Sequence, residues 1–302
     1  MSKTSFADTI RIGTMVDGLG KDPADYIRQI LPHGFESFQI SFWQTTRGLN
    51  LKELGKRIQG ALEGSDAVVS SLAIFGNPLE SGPIDRETLD SWKRLIDHAH
   101  CFGADIVAGF TGRLRGKSVE ESIPRFRKVF GSLANRAEDR GVRLCFENCH
   151  MGGDWKTGDW NLAFSPHAWN LLFDAVPSRS VGLEWEPCHQ MTSLIDPLPQ
   201  LREWVGRIFH VHGKDANVLW DVVRRHGIHG PEPFVKHRTP GFGDTDWVQV
   251  ISELRAGGFR GSIDIEGWHD AVYKDELEMT GQVHALRYLQ QCRGGSLVPN
   301  PQ

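Results

Sequence analysis

The stretch Ala137-Glu138-Asp139-Arg140-Gly141-Val142-Arg143-Leu144-Cys145-Phe146-Glu147 reads as a helix end, a turn and a short buried strand that stops on a carboxylate. The amphipathic segment Val119–Ala137 leads into it, and Gly141 supplies the left-handed residue that closes a helix. Val142–Phe146 is a compact apolar run of strand length. The same unit recurs along the chain. Strand-like runs at Ile10–Met15, Ser37–Phe42, Val68–Phe75, Asp105–Phe110, Val142–Phe146, Val181–Trp185, Arg207–Val211 and Ser262–Glu266 alternate with helical patterns. The helical patterns fall at Pro23–Leu31, Leu51–Leu62, Arg86–Cys101, Val119–Ala137, Pro166–Ala175, Pro197–Val205, Trp247–Leu254 and Glu276–Gln290. Gly34, Gly64, Gly103 and Gly257 occupy the same helix-closing place as Gly141.

Strands that alternate with helices call for a parallel sheet. Eight such units in 302 residues predict an α/β fold of the (β/α)8 TIM-barrel type, as a single domain over residues 1–302. The doubly wound alternative lacks a GxGxxG after its first strand. Residues 213–246 carry no periodicity and predict a long lid-like loop after the seventh strand. Trp220, Phe234 and Phe242 within it predict order, with the loop folded over the barrel mouth.

Composition narrows the function. With 34 Lys+Arg against 38 Asp+Glu the net charge is −4, and no basic block is present, so nucleic acid is not the expected partner. No window approaches the ~18 uninterrupted apolar residues of a membrane span. Residues Met1–Asp8 lack the apolar core of a signal peptide, and five cysteines without a CxxC pair suit a reducing cytoplasm. Ten Trp and thirteen His are many for this length.

In a parallel barrel the chemistry collects at the C-terminal strand ends. The last four strands deliver Glu147, Glu186, His212 and Glu266 to one rim. One glutamate at a strand end is more often a cap or an ion-pair partner than a ligand; four ligand-type residues at successive strand ends point to a metal. Three carboxylates and an imidazole suit an octahedral ion, with Mn2+ favoured over Mg2+ and Co2+ also possible, rather than a closed structural zinc. His150 and His189 each follow a proposed ligand by three residues and are candidates to touch substrate. His210 reads as a packed or ligand-orienting residue, and Lys214 as a contact to substrate oxygens or a partner of Asp215. Trp185 and Trp268 are candidates to stack on a sugar.

These segments resemble the xylose-isomerase-like barrel superfamily of sugar isomerases and epimerases over nearly the whole chain. The resemblance implies metal ligands at Glu147, at Glu186 of Glu186-Pro187-Cys188-His189, at His212 and at Glu266. Glu186 stands where the family has Asp, and the added methylene displaces metal or carboxylate by about 1 Å. Two stretches, Glu147-Asn148-Cys149-His150-Met151-Gly152-Gly153-Asp154-Trp155 and Gly182-Leu183-Glu184-Trp185-Glu186-Pro187-Cys188-His189-Gln190-Met191, are similar to the larger subunit of bacterial C-glycoside deglycosidases. That similarity implies a carbon–carbon lyase acting on 3-oxo-C-glycosides by β-elimination, with a small β subunit as partner. The wider family implies a sugar isomerase or ketose 3-epimerase working through an enediolate. Both begin with proton abstraction beside a sugar carbonyl polarised by the metal. His150, Glu147 and Glu266 are the candidate catalytic groups, and His189, Lys214, Trp185 and Trp268 the candidate substrate contacts.

Overall fold

The computed structural model describes residues 10–295 together with 298 and 301. Residues 1–8, read above for a signal peptide, lie outside the described residues.

Two compact units share the chain, and each holds its own run of parallel sheet. One, 15–185 with 207–210, contains β2 (Ser37–Trp43), β3 (Val68–Phe75), β4 (Ile106–Gly109), β5 (Arg143–Glu147) and β6 (Val181–Trp185). Each of these pairs in parallel with the next, as in Val107 beside Leu144 and Glu147 beside Glu184. The other unit places β10 (Ser262–Ile265) between β1 (Arg11–Asp17) and β7 (Ile208–Gly213), with Ile263 beside both Ile12 and Val211. The strand order β1-β10-β7-β6-β5-β4-β3-β2 closes into a barrel, as the eight repeating units predict.

Local chemistry sets the helix limits. Helix α1 (Pro23–Ile30) starts on Asp22, whose carboxylate accepts from Asp25 N–H, with Pro23 in the first turn where its missing N–H costs nothing. Helix α4 (Val119–Asp139) opens on a reciprocal Ser118/Glu121 capping box. Gly34, Gly64, Gly103 and Gly141 all have positive φ, as expected of helix-closing glycines. Gly257 does not: it sits at φ −77 with no room for a Cβ beside Val205, and Gly258 takes the left-handed position.

The helices α2 (Leu51–Leu62), α3 (Pro83–His98), α5 (Pro166–Ala175), α7 (Pro197–Trp204), α9 (Trp247–Ala256) and α10 (Glu278–Cys292) follow the predicted order with end shifts of a few residues. A short additional helix, α6 (Cys188–Thr192), follows β6 directly. The expectation of one aperiodic loop over 213–246 is corrected. It folds as β8 (Asp215–Val218), α8 (Trp220–His226) and β9 (Val235–Arg238), with β8 and β9 antiparallel and Ala216 opposite His237. Four-residue strands are too short to show a period in sequence.

The hairpin is held by its own unit. Asp215 is fully buried and accepts from Ala216 N–H, Thr245 N–H, the Thr245 hydroxyl and Trp247 Nε1–H. Beyond it, Phe242 lies sandwiched between Tyr273 and His284, with ring centroids 4.0 and 4.2 Å away. In the other unit, Phe126 and Phe130 of α4 pack against Phe146 of β5 and fix that strand's outer face.

Candidate active site

β5 ends on Glu147, which is buried. The chain after it is pinned by Asn161, whose Nδ2 donates to the carbonyls of Glu147 and Cys149, both at 2.8 Å. Arg113, fully buried, donates to the carbonyls of Lys117, Asp154 and Trp155 and so shapes the following loop. His150 sits half-exposed at its start and accepts the Gly152 N–H on Nδ1 at 2.9 Å. A neutral imidazole with Nδ1 accepting carries its proton on Nε2, so the ring offers a donor there.

In the other unit β7, β10 and the start of α6 assemble a dense polar group. Lys214 Nζ donates to Glu266 Oε1 at 2.7 Å, and His212 Nδ1 lies 3.5 Å from Glu266 Oε2. His269 Nε2 lies 3.2 Å from Glu266 Oε1. Glu186 Oε1 accepts the His189 N–H at 3.1 Å and also contacts that residue's Nδ1. All of these except His269 are buried. Burial pushes the Glu186 carboxyl up to about 7, with Lys214 and His212 pulling against it and Glu266 adding to the rise. Burial works on Glu266 in the same sense, but there Lys214, His269 and His212 prevail and hold the carboxyl well below its ordinary range. The hairpin brings His237 beside these groups, its ring edge-on to His189 at 5.4 Å and 6.0 Å from His269. Burial lowers His237 to about 4, helped by Lys214 and His189.

Metal-type donors are buried in each unit: Glu186, His189, His212 and Glu266 in one, and Glu147, Cys149, Glu184 and His210 in the other. Three of the four expected ligands, Glu186, His212 and Glu266, belong to one unit, where the charges of His212 and Glu266 act on the Glu186 carboxyl. The fit to a cation is tested by Glu266 Oε2, which is buried and accepts no hydrogen bond among the described residues. A buried carboxylate oxygen of that kind is costly unless a positive centre meets it. The residues fit a divalent ion.

Of the other expected residues, Lys214 faces Glu266 rather than Asp215, and Trp268 is 43% exposed beside His269. Trp185 is corrected. Side chains alternate along a strand, so with Glu184 and Glu186 on one face Trp185 points to the other, where it is wholly buried and beyond the reach of a sugar. Cys145 and Cys188 are buried thiols whose pKa burial pushes well above the ordinary value, as suits core residues. Sequence reasoning missed a layer one residue pair deeper than the rim. Glu184 Oε1 there accepts from Gln39 Nε2 at 2.5 Å and lies 2.9 Å from His210 Nδ1, all three buried. The i, i+2 spacing of Glu184 to Glu186 and of His210 to His212 was the available signal.

The chain belongs to the xylose isomerase-like TIM barrel family, whose pattern matches residues 27–292. It is similar to the uncharacterised protein YfiH of Bacillus subtilis (strain 168), 24% identical over 92% of this chain and 98% of that one. It is also similar to inosose dehydratase of Clostridium perfringens (strain ATCC 13124), 24% identical over 78% of this chain and 80% of the relative. Among solved structures, apo 3-keto-D-glucoside 4-epimerase YcjR from E. coli superposes with TM-score 0.70 at 14% identity, over 94% of this chain and 100% of that one. Family and donor groups together make this chain an enzyme of the metal-dependent sugar isomerase, epimerase or lyase kind. No helix among the described residues is long and apolar enough to cross a membrane.

Proposed function

We propose that this enzyme removes the proton next to the carbonyl of a 3-oxo-glycoside and expels the group at C1 by β-elimination. The observation that carries the reading is the buried Glu186, His212 and Glu266 cluster, with Lys214 fixed on Glu266. Glu147, Glu186, His212 and Glu266 would hold the ion, and mixed carboxylate and imidazole donors favour Mn2+. When bound, the ion supplies Lewis-acid polarisation of the sugar carbonyl.

The chain's own groups do the rest. Glu147 takes the proton from C2 on a carboxylate oxygen. The electron pair left behind forms the C1–C2 double bond as the bond from C1 to the leaving group breaks. The leaving group would receive its proton from an imidazolium, for which His189, in contact with the Glu186 carboxylate, is the candidate. With Gly152 N–H on its Nδ1 lone pair, the neutral His150 ring would give the departing group a hydrogen bond from Nε2–H rather than serve as the base. Lys214 holds Glu266 in one orientation through the cycle. A 3-oxo substrate is supported by the 3-keto-glucoside named for YcjR, and elimination by the dehydratase named for the clostridial relative. When the C1 substituent is carbon-linked, the reaction is C-glycoside deglycosylation, and the small β subunit belongs to that case. The same proton abstraction, with the proton returned to the opposite face, is epimerisation, which the epimerase name of YcjR supports as the second reading.

Purified without chelator, the protein is expected to carry about one equivalent of Mn2+ or Co2+. Elemental analysis should find that ion lost from Glu186→Ala and His212→Ala. In D2O the loaded enzyme should place deuterium at C2 of a 3-oxo-glycoside and release free aglycone, leaving the unoxidised glycoside intact. Exchange with an inverted centre and retained aglycone selects epimerisation. No bound metal after incubation with Mn2+ overturns both readings.

A further inference from the structure

The β8–β9 hairpin has an inner and an outer face. Ala216 and Val218 on β8 stand opposite His237 and Val235 on β9. Ala216, Val218 and Val235 pack with Cys188 and Met191 of α6. Strand alternation puts His237 on that same apolar face and sends Lys236 and Arg238 to the other. An imidazole on such a face loses hydration that Val or Leu would not miss, so the residue type calls for a reason.

Its neighbours give one. His189 contacts Glu186, and His269 contacts Glu266. His237 stands between those two imidazoles, 5.4 Å from one ring and 6.0 Å from the other. The five side chains therefore make an arc, Glu186–His189–His237–His269–Glu266, that begins and ends on proposed metal ligands. A ligand seated on those carboxylates meets the middle of the arc at His237. The cations beside it are committed: Lys214 to Glu266, and Arg238 to the Asp270 carboxylate and the Asn217 side-chain oxygen. A neutral imidazole offers one donor and one acceptor, which matches a hydroxyl and not a phosphate.

We propose that His237 is a substrate-contacting, specificity-determining residue, and that with His189 and His269 it selects an uncharged polyhydroxy sugar over a phosphorylated one. The assignment rests on the sugar-enzyme reading above and adds to it the residue that chooses the sugar.

The test uses the full-length Mg2+-loaded enzyme with His237→Leu, which suits the apolar face, and His237→Gln, which restores a neutral hydrogen-bonding group. The probes are methyl 3-oxo-β-D-glucopyranoside and its 6-phosphate. Metal content should equal that of the wild type in both variants. In the deuterium-exchange assay His237→Leu should raise KM for the uncharged probe about tenfold, the size of one lost hydrogen bond, with kcat within about threefold. His237→Gln should recover most of that loss. In the wild type labelled with 13C at histidine, the resonance that disappears in His237→Leu should shift with the uncharged probe and stay still with the 6-phosphate. Exchange without any response at His237 overturns this assignment and leaves the proton chemistry standing. A response at His237 without exchange supports the assignment and overturns the chemistry. Absence of both overturns both, and equal responses to the two probes overturn the selection against phosphate.

Discussion

Lys214 fixes the way the Glu266 carboxylate turns. Its ammonium occupies Oε1 at 2.7 Å, which turns Oε2 toward His212. Lys214→Met keeps the length of the side chain and removes the donor, so Glu266 is released to rotate. Mn2+ affinity, measured by titration calorimetry, should fall about tenfold to hundredfold, as for other residues that orient a ligand. Near-UV circular dichroism should stay as in the wild type, and an unchanged Kd would remove Lys214 from this role. The candidate ligands can be picked from sequence because each stands at or next to a strand end, where a parallel barrel collects its chemistry. Glu184 is legible only through its i, i+2 spacing from Glu186, and Gln39 is not legible, since it lies within β2 and nothing local marks it. Trp185 adjoins Glu186 in sequence, but alternation turns adjacent strand residues to opposite faces, and its ring is wholly buried.

At the scale of elements, the hairpin is fastened at Asp215, where four hydrogen bonds converge on one carboxylate. Burial nevertheless pushes its pKa up to about 6 from the ordinary 3.8, because the group has no exposure to water. The folded state thus binds a proton more tightly than the unfolded chain. Stability from this group is complete below about pH 4 and is lost as pH rises to about 6. Relative to Asp215→Asn, the wild type should therefore lose about 2–3 kcal/mol between pH 4 and pH 7. Urea unfolding of both proteins at several pH values measures it, and parallel profiles would contradict the assignment. The strands and long helices of the barrel could be read from periodicity and helix-closing glycines. The hairpin could not, because Asp215–Val218 and Val235–Arg238 are each about one alternation cycle longer than noise and are separated by a helix.

For the whole molecule, an ion that binds the fold and not the unfolded chain stabilises every cooperative part of it. At about a hundredfold excess over Kd the gain is about 2.7 kcal/mol, or several degrees in Tm for a chain of this length. Mn2+ should produce that rise in a thermal melt, EDTA should reverse it, and His212→Ala should show neither. An equal rise in His212→Ala would place the binding elsewhere.

The stack of Tyr273, Phe242 and His284 joins a loop beyond β9, the segment after β10, and helix α10. A ring held on both faces cannot leave one neighbour without losing the other. Opening around Phe242 is therefore a single event shared by three separate stretches of chain. Amide hydrogens near residues 239–246 and 270–274 should exchange as one kinetic class, slowed together by anything that binds beneath them. Phe242→Ala would divide that class in two, giving each stretch its own opening rate.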